Sequence, residues 1–522
     1  MPADDLTVPT LLATHRRHAG DRDAVVDDDR TITYADLHRD SRALAARLVH
    51  AGMGTSSRVG LLLPNSVDWV VTALAVTRTG AVLVPLSTLL RPPELLAQLR
   101  SASVTHLIAA PRFRGRTYLE ELDAEVPGLG GVAEDRRSAA VPSLRRVWTP
   151  DSVPGEAAPP ALVDALEAGV RPADDLVVLF TSGSRGRPKG VIHTHGSALR
   201  AVGAGLEARC VGADDRLYLP MPFFWTGGFG AGILSALVAG ATLVTEAEPE
   251  PGRTLRFLER SGVTLFRGWP DQAQRLAAHP DFRATDLSRL RPASLPALLP
   301  DDRRPPPGAR AALLGMTETM GPYSGARLDE DLPDGKAGSC GRPFAGIEAR
   351  IVAPGTETEV DAGTEGEIRV RGRAVMRGIC GRTRPELFDR DGFYPTGDLG
   401  VLDADGYLWY RGRLDDMFKV SGATVYPIEV EQALRGLAGV SEASVTDSVD
   451  DQGICRVAAM VVVEHSVDVA TLADGARQRL SAFKVPTRWV IVDDPGRVPR
   501  LASGKVDVAA LRRLVRTDGL TA

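Results

Sequence analysis

Short apolar runs alternate with helix-like segments along the first half of the chain, and this alternation restricts the fold more than any other feature. In residues 33–52, Leu37, Leu44 and Leu48 share one helical face ahead of a glycine. Four apolar runs end at turn residues, as buried strands do: RVGLLLP, HLIAAP, LVVLFTSG and ATLVTEA. This order predicts an α/β fold made of two layered subdomains with parallel-rich sheets.

The pattern changes near residue 340, where apolar and polar residues alternate with the period of a strand. In GEIRVRG (366–372), Ile368 and Val370 point one way, whereas Arg369 and Arg371 point the other. ARIVAP and GYLWYRGR have the same character. These segments predict a small β-barrel-like subdomain.

A polar connection, LDDMFKVSG, follows Arg413. Beyond it, PIEVEQALRGL has helical periodicity, and RVAAMVVVE and RWVIVDD have the composition of strands. The sequence therefore predicts two domains: a large one over residues 1–413, and a small, mobile α+β domain over residues 414–522.

Charge and cysteine content exclude several classes of protein. The net charge of −5 does not suit a nucleic-acid binder, and the four cysteines lack metal-binding spacing, which indicates reduced thiols. The first residues are acidic rather than those of a secretory signal, and the most apolar stretch, residues 69–86, is interrupted by Arg78 and Gly80. We expect a cytoplasmic protein that neither inserts into a membrane nor binds nucleic acid.

The segment LFTSGSRGRPKGVIHTHGS (179–197) follows an apolar run and is rich in glycine and hydroxyl side chains. Such loops cradle phosphate, because glycine lets backbone N–H groups converge and hydroxyls add donors. It is not a Walker A loop, since Lys189 is wrongly spaced from Gly186 and no Ser or Thr follows it. Taken alone, the segment also suits a flexible surface loop.

Further motifs follow in order: MPFFWTGGF (221–229), LGMTET (314–319), FYPTGDLG (393–400), YRGRLDDMFKVSGATVYPIEVE (410–431) and RLASGKVD (500–507). Together with the loop, they resemble the signatures of the adenylate-forming superfamily, which contains acyl-CoA synthetases, luciferases and peptide-synthetase adenylation domains. The resemblance implies a two-step reaction. A carboxylate attacks the α-phosphate of ATP to give an acyl-adenylate, and a thiol then attacks the activated carbonyl. ATP, Mg²⁺ and coenzyme A are the implied cofactor and substrates.

The resemblance also implies residue roles in the large domain. The residues implied for the β- and γ-phosphates are Thr181, Ser182, Gly183, Ser184, Gly186 and Lys189. Thr317 and Glu318 match the positions that contact the α-phosphate and Mg²⁺, and Asp398 and Arg413 match contacts to the ribose or a phosphate. Taken alone, the Thr-Glu pair suits a helix start and the TGD segment suits a turn.

Three further roles fall near or in the small domain. Lys505 matches the lysine that bridges the carboxylate substrate and the α-phosphate during adenylation, although Gly-Lys is also common in surface loops. Asp415 matches a hinge about which the small domain rotates, with an exposed turn as the alternative. Ser421 and Gly422 match the wall of a pantetheine tunnel.

Two positions depart from the family pattern on the ATP side. Arg185 stands where Thr or Ser is usual, and Leu314 stands where an aromatic ring commonly stacks on adenine. These departures leave open a half-reaction enzyme that only converts a preformed acyl-adenylate into a thioester. Because Lys505, Glu318 and Asp398 persist, we favour the complete acyl-CoA ligase, and pyrophosphate exchange distinguishes the two.

The acyl pocket is predicted from the MPFFWTGGF segment. The resemblance places Trp225 where relatives often have a gating aromatic residue, although ordinary core packing also suits it. With Phe224 as an apolar wall, Gly227 and Gly228 suggest a roomy cavity, so we expect a hydrophobic carboxylic acid. Coenzyme A is the favoured acceptor, since the sequence contains no carrier domain. A carrier-protein acceptor, a catalytically inactive nucleotide-binding protein and a homodimer remain open, whereas nothing marks luciferase-like oxidation.

Overall fold

The structure is a computed structural model that describes residues 6–131, 138–181, 188–414, 418–420, 423–449, 455–480, 482–501 and 504–521. It divides into two compact units. The first comprises residues 1–349, 370–394 and 406–408, and the second comprises residues 350–369, 395–405 and 409–522.

The strands are β1 (Asp23–Val26), β2 (Thr31–Thr33), β3 (Arg58–Leu62), β4 (Val82–Pro85), β5 (His106–Ala109), β6 (Arg146–Trp148), β7 (Asp175–Thr181), β8 (Lys189–Thr194), β9 (Arg216–Tyr218), β10 (Thr242–Val244), β11 (Leu265–Phe266), β12 (Leu314–Met316), β13 (Gly321–Gly325), β14 (Arg342–Pro343), β15 (Ile347–Val352), β16 (Glu365–Gly372), β17 (Gly378–Ile379), β18 (Tyr394–Leu402), β19 (Leu408–Arg413), β20 (Phe418–Val420), β21 (Ala423–Val425), β22 (Val440–Val449), β23 (Cys455–Val463), β24 (Arg488–Val492) and β25 (Leu520–Thr521).

The α-helices are α1 (Val8–His18), α2 (Tyr34–His50), α3 (Val67–Thr77), α4 (Pro92–Ser101), α5 (Tyr118–Glu125), α6 (Pro160–Gly169), α7 (His195–Ala204), α8 (Ser235–Ala239), α9 (Pro251–Arg260), α10 (Pro270–Ala277), α11 (Pro427–Arg435), α12 (Val469–Arg477) and α13 (Val508–Thr517). A π-helical segment, Gly227–Leu234, lies just before α8.

Two mixed sheets organise the first unit. In the described part of the chain, one has the strand order β17-β8-β7-β4-β3-β5-β6 and the other has the order β11-β9-β10-β1-β2. In the first sheet, strands β3 to β7 run parallel and the β8 and β17 edge is antiparallel. Buried residues of both sheets belong to one hydrophobic cluster, so the predicted α/β layering with parallel-rich sheets is confirmed.

The second unit is built around the four-stranded sheet β22-β23-β24-β25. Val430 and Leu434 of α11 pack in one cluster with alternate strand residues, and Leu511 and Val515 of α13 pack in another. Because side chains alternate across a strand, one sheet has two buried faces here. The predicted α+β character of the C-terminal part is confirmed.

The alternating segments of the sequence form the sheet β15-β16-β18-β19.

Helix α3 explains the most apolar stretch of the sequence. Every residue of α3 except Asp68 is buried, and α3 contacts α2, β3 and β4. A helix that is apolar on all sides occupies the centre of a large core or a membrane. None of the helices in the described part of the chain combines the length and hydropathy of a membrane span.

Arg78 follows α3 and is fully buried. Its Nε donates to Glu167 Oε1 at 2.8 Å, and its Nη1 donates to Ser41 Oγ at 2.7 Å and to the His38 carbonyl at 2.9 Å. Burial lowers the pKa of Arg78, whereas Glu167 acts in the opposite direction. The arginine that interrupts the apolar stretch therefore ties α2, α3 and α6 together.

We expect Glu167→Gln to lower the free energy of unfolding by about 2 kcal/mol, because it leaves the buried Arg78 charge without a counter-charge. Urea unfolding followed by fluorescence measures the change. Glu156→Gln, at a side chain that is 83% exposed, serves as the matched control and should change stability by less than about 0.5 kcal/mol. Equal effects of the two substitutions would contradict a role for the buried pair.

Candidate nucleotide and acyl site

The hairpin of β7 and β8 positions the first pair of predicted phosphate ligands. Thr181 ends β7, Lys189 begins β8, and the two residues are direct cross-strand partners. The Oγ1 atom of Thr181 is buried and has no hydrogen-bond partner among the described residues. An unsatisfied buried hydroxyl is costly, so this atom is suited to receive a ligand oxygen. The predicted ligands Ser182, Gly183, Ser184 and Gly186, and the departure at Arg185, lie outside the described residues.

Glu318 meets this hairpin from the turn that follows β12. Its side chain is 6% exposed, and its Oε1 lies 2.5 Å from Lys189 Nζ and accepts a hydrogen bond from the Tyr394 hydroxyl at 3.0 Å. Burial alone would raise the pKa of Glu318, but Lys189 and Tyr394 outweigh it and hold the pKa below its usual value. The structure thus brings Lys189 and Glu318 together, with an ionised carboxylate at the end of the loop.

Thr317 is held from two sides. Thr226 Oγ1 donates to Thr317 Oγ1 at 2.9 Å, and His193 Nε2 donates to the Thr317 carbonyl at 2.7 Å. Burial lowers the pKa of His193 to about 4, so its imidazole is neutral at physiological pH. His193 therefore fixes the backbone at Thr317 and carries no charge.

The predicted ribose ligands form a pair within the second unit. Arg413 Nη1 donates to Asp398 Oδ1 at 2.8 Å and to the Thr396 carbonyl at 2.9 Å, and Asp398 is 7% exposed. Gly397 adopts a φ of +72°, and a Cβ there would lie 2.9 Å from Arg413 Nη2. Glycine is thus favoured at this position of β18 by the positive φ, and it also leaves room for the guanidinium.

Lys505 lies in an exposed loop of the second unit. The loop is closed by a bridge between Arg500 and Val506, and the Leu501 N–H donates to the Lys505 carbonyl at 2.8 Å. The backbone at Lys505 is therefore fixed while its side chain faces solvent. The predicted hinge Asp415 and the predicted tunnel residues Ser421 and Gly422 lie outside the described residues.

Three aromatic rings meet at the predicted acyl pocket. Phe224 lies edge-on to Trp225 with ring centroids 5.4 Å apart, and Trp225 lies edge-on to Trp269 at 5.7 Å. Phe224 is buried, whereas both tryptophans are partly exposed. Trp269, the N-cap residue of α10, was not among the predicted residues and extends the aromatic surface.

The glycines of this segment do not leave the open space that we expected. A Cβ at Gly227 would lie 2.6 Å from Met221 Sδ, and a Cβ at Gly228 would lie 2.1 Å from the Pro222 carbonyl oxygen. Both positions are therefore glycine because neighbouring atoms already fill the space. The expectation that they create a roomy cavity is wrong.

Two family models match the chain. The model described as AMP-binding enzyme matches residues 12–380, and the model described as AMP-binding enzyme C-terminal domain matches residues 429–505. The chain belongs to the family of AMP-binding enzymes.

Curated relatives match over nearly the full length. A 3-[(3aS,4S,7aS)-7a-methyl-1,5-dioxo-octahydro-1H-inden-4-yl]propanoyl:CoA ligase from Mycobacterium tuberculosis is 34% identical, over 97% of this chain and 99% of the relative. A feruloyl-CoA synthase from Amycolatopsis sp is 33% identical, over 96% of each chain.

Solved structures share the fold. An anthranilate CoA ligase in complex with anthranoyl-AMP superposes with a TM-score of 0.80 at 23% identity, over 99% of each chain. The o-succinylbenzoate coenzyme A synthetase from Bacillus subtilis, in complex with ATP and magnesium ion, gives 0.77 at 25% identity, over 97% of this chain and 98% of the other. The family models, together with the curated relatives that are named CoA ligases or synthases, make the chain an AMP-forming acid–thiol ligase.

We expect Tyr394→Phe to move the acid limb of the adenylation rate to higher pH, because the lost hydrogen bond no longer lowers the pKa of Glu318. At the pH optimum, the rate should fall by no more than about tenfold. Pyrophosphate–ATP exchange measured from pH 5 to 9 gives both values.

Tyr118→Phe is the matched control for this substitution. The Tyr118 hydroxyl is buried and donates to the Thr88 carbonyl at 3.0 Å, so the control also removes one internal hydrogen bond. The acid limb could stay in place in Tyr394→Phe, or it could move equally in both variants. Either result would contradict the role of Tyr394 in lowering the pKa of Glu318.

Proposed function

We propose that this ligase activates a hydrophobic carboxylic acid with ATP and transfers the acyl group to coenzyme A, performing both half-reactions. The observation that carries the proposal is the buried contact of Glu318 with Lys189 beside the phosphate loop. A protein that only converted a preformed adenylate would have no need for a paired acid and base at the triphosphate.

Lys189, Thr181 and Lys505 have different roles in adenylation. Lys189 and the Thr181 hydroxyl bind the β- and γ-phosphates, where negative charge must be neutralised before an anion can attack. The substrate carboxylate then attacks the α-phosphorus, the bond to pyrophosphate breaks, and the acyl-adenylate forms. Lys505 holds the carboxylate and the α-phosphate together, since an ammonium group can donate to both.

Glu318 would hold Mg²⁺ together with phosphate oxygens and water. Mg²⁺ in nucleotide sites is typically bound by one or two carboxylates plus substrate phosphates. The described residues contain no group of three His, Cys, Asp or Glu side chains that could form an all-protein metal site. When bound, Mg²⁺ neutralises phosphate charge, and Glu318 is kept ionised for this contact by Lys189 and Tyr394.

Asp398 binds the ribose hydroxyl groups. A carboxylate with two oxygens can accept from both hydroxyls, and Arg413 fixes its orientation through Oδ1. In the second half-reaction, the thiolate of coenzyme A attacks the acyl carbonyl, and the bond to the phosphate breaks to release AMP.

A planar or polycyclic acid is the proposed substrate class. The aromatic surface of Phe224, Trp225 and Trp269 suits a rigid apolar group, because rings stack or meet edge-on with favourable geometry. Relatives named feruloyl-CoA synthase, indoleacetate–CoA ligase and 2-succinylbenzoate–CoA ligase support an acid that contains a ring.

The half-reaction enzyme is the second candidate, and Leu314 is the described residue that favours it. Leu314 lies in β12 and is partly exposed where a ring could otherwise cover adenine. Losing one ring contact costs on the order of 1 kcal/mol, which weakens nucleotide binding without abolishing it. The intact Lys189 and Glu318 pair is therefore the stronger observation, and it favours the complete ligase over the half-reaction enzyme.

We expect Lys505→Ala to reduce pyrophosphate–ATP exchange by at least about 100-fold, because the substitution removes the ammonium group that we propose bridges the two reacting anions. Thioester formation from a synthetic acyl-adenylate should stay within about threefold of the wild-type rate, since Lys505 acts only in adenylation. Lys336→Ala is the control and should leave both rates unchanged.

The three candidate classes give different results in this experiment. A half-reaction enzyme would show no exchange even in the wild type, while still converting the adenylate. An inactive nucleotide-binding protein would catalyse neither step. Either result would overturn the proposed complete reaction.

We expect Trp269→Ala to lower kcat/KM for a planar aromatic acid by about tenfold relative to a short straight-chain acid, through loss of one ring contact. Trp269→Phe, which keeps a ring, should retain most of the preference. Competition assays with both acids measure the ratio, and an unchanged ratio in Trp269→Ala would exclude Trp269 from the acyl pocket.

A further inference from the structure

A cavity in the first unit reaches the end of the β7 and β8 hairpin that lies opposite the phosphate loop. It has a volume of about 720 Å³, and its wall includes Pro172 and Ala173, just before β7, and Thr194, the last residue of β8. The phosphate loop follows Thr181, the last residue of β7. A strand of this length separates its two ends by about 20 Å, so this part of the cavity wall lies far from the phosphate loop. Another part comes closer, because the N–H of the lining residue Met376 donates to the Glu318 carbonyl at 2.7 Å.

Arginine dominates the charge of this cavity. Five arginines line it, Arg200, Arg371, Arg373, Arg377 and Arg384, against the single carboxylate of Asp391 among the lining residues. Glu348 and Asp175, which pair with Arg371 and Arg377, balance two of these charges and leave an excess of positive charge. A cavity with an excess of one charge and low-dielectric walls concentrates counter-ions. The lining therefore favours an anion.

Two of the arginines are oriented by carboxylates that are not part of the lining. Arg371 Nη2 lies 2.6 Å from Glu348 Oε2, and Arg377 Nη1 lies 2.5 Å from Asp175 Oδ1. Arg371 also donates from Nε to Glu348 Oε2 at 3.1 Å and from Nη1 to the Asp391 carbonyl at 2.9 Å. A guanidinium has five N–H donors, so these contacts still leave donors on both arginines for a further acceptor. These pairs hold the cations in place in the way that preorganised anion sites require.

Apolar groups complete the wall. The guanidinium of Arg384 lies 4.4 Å from the centre of the Phe388 ring, and Val375 and Met376 are buried at the cavity. The volume falls within the range of small-molecule and cofactor sites. A flat apolar group attached to an anion fits both features.

We propose that this arginine cavity binds a phosphate-bearing ligand of nucleotide size. Several guanidinium groups around one cavity match the multiple charges and oxygen atoms of phosphate, whereas a carboxylic acid substrate carries a single charge. Phosphate groups could come from pyrophosphate, from AMP or from coenzyme A, and separate titrations distinguish these sources. The proposal goes beyond the proposed function and does not depend on it.

The test compares binding to the wild type and to the double variant Arg373→Gln/Arg384→Gln, at two exposed positions of the cavity. Pyrophosphate, AMP, desulfo-coenzyme A and the non-phosphorylated trianion citrate are titrated separately into the full chain by calorimetry. We expect at least one phosphorylated probe to bind about tenfold more weakly to the double variant. Citrate should bind more weakly than that probe to the wild type.

Two controls separate this cavity from general charge effects and from the nucleotide site. Arg275→Gln/Arg283→Gln removes the same charge from exposed positions outside the cavity and should keep wild-type affinity. Lys189→Ala should bind, with wild-type affinity, the phosphorylated probe that the cavity variant binds weakly. Three results would overturn the proposal. The wild type and the cavity variant could bind every probe with equal affinity, or Lys189→Ala could lose the same binding as the cavity variant. The wild type could also bind citrate as tightly as the phosphorylated probes.

Discussion

The ion pair of Lys189 and Glu318 is the contact on which the chemistry of the first unit depends. Burial raises the pKa of this carboxylate, and the contacts with Lys189 and Tyr394 outweigh that effect and hold the pKa below its usual value. Since Lys189 begins β8 and Glu318 follows β12, the same contact connects the seven-stranded sheet to the three-stranded sheet. This ion pair therefore keeps Glu318 ionised and also holds the backbone of the two sheets in place.

The parts of the site that could be predicted are those in which a local motif determines the geometry. Thr181 and Lys189 are separated by a short loop, so a hairpin necessarily brings them together. Asp398 and Arg413 were assigned by resemblance, and the pair they form lies within the second unit. The α/β layering followed from the alternation of apolar runs and helical periodicity. Short apolar runs indicate buried strands, whereas helical periodicity indicates helices with one buried face.

The parts that could not be predicted depend on contacts between segments far apart in sequence. Tyr394, His193 and Trp269 reach their partners only through the tertiary fold, and the first two lie in quoted motifs without any signal of their role. Gly227 suggested space, whereas packing against Met221 removes it. The alternation around Ile368 separated its two faces but did not indicate that Glu367 and Arg369 are buried together, with Arg369 Nε 3.3 Å from Glu367 Oε2.

The most direct test of this account is acid-dependent exchange of labelled pyrophosphate into ATP, comparing the wild type with Glu318→Gln across a panel of ring-containing acids. The account predicts exchange by the wild type with at least one acid and a loss of about 100-fold or more in Glu318→Gln, because the ionised carboxylate next to the triphosphate is removed. Exchange at similar rates in both proteins would contradict the central role given to the buried carboxylate.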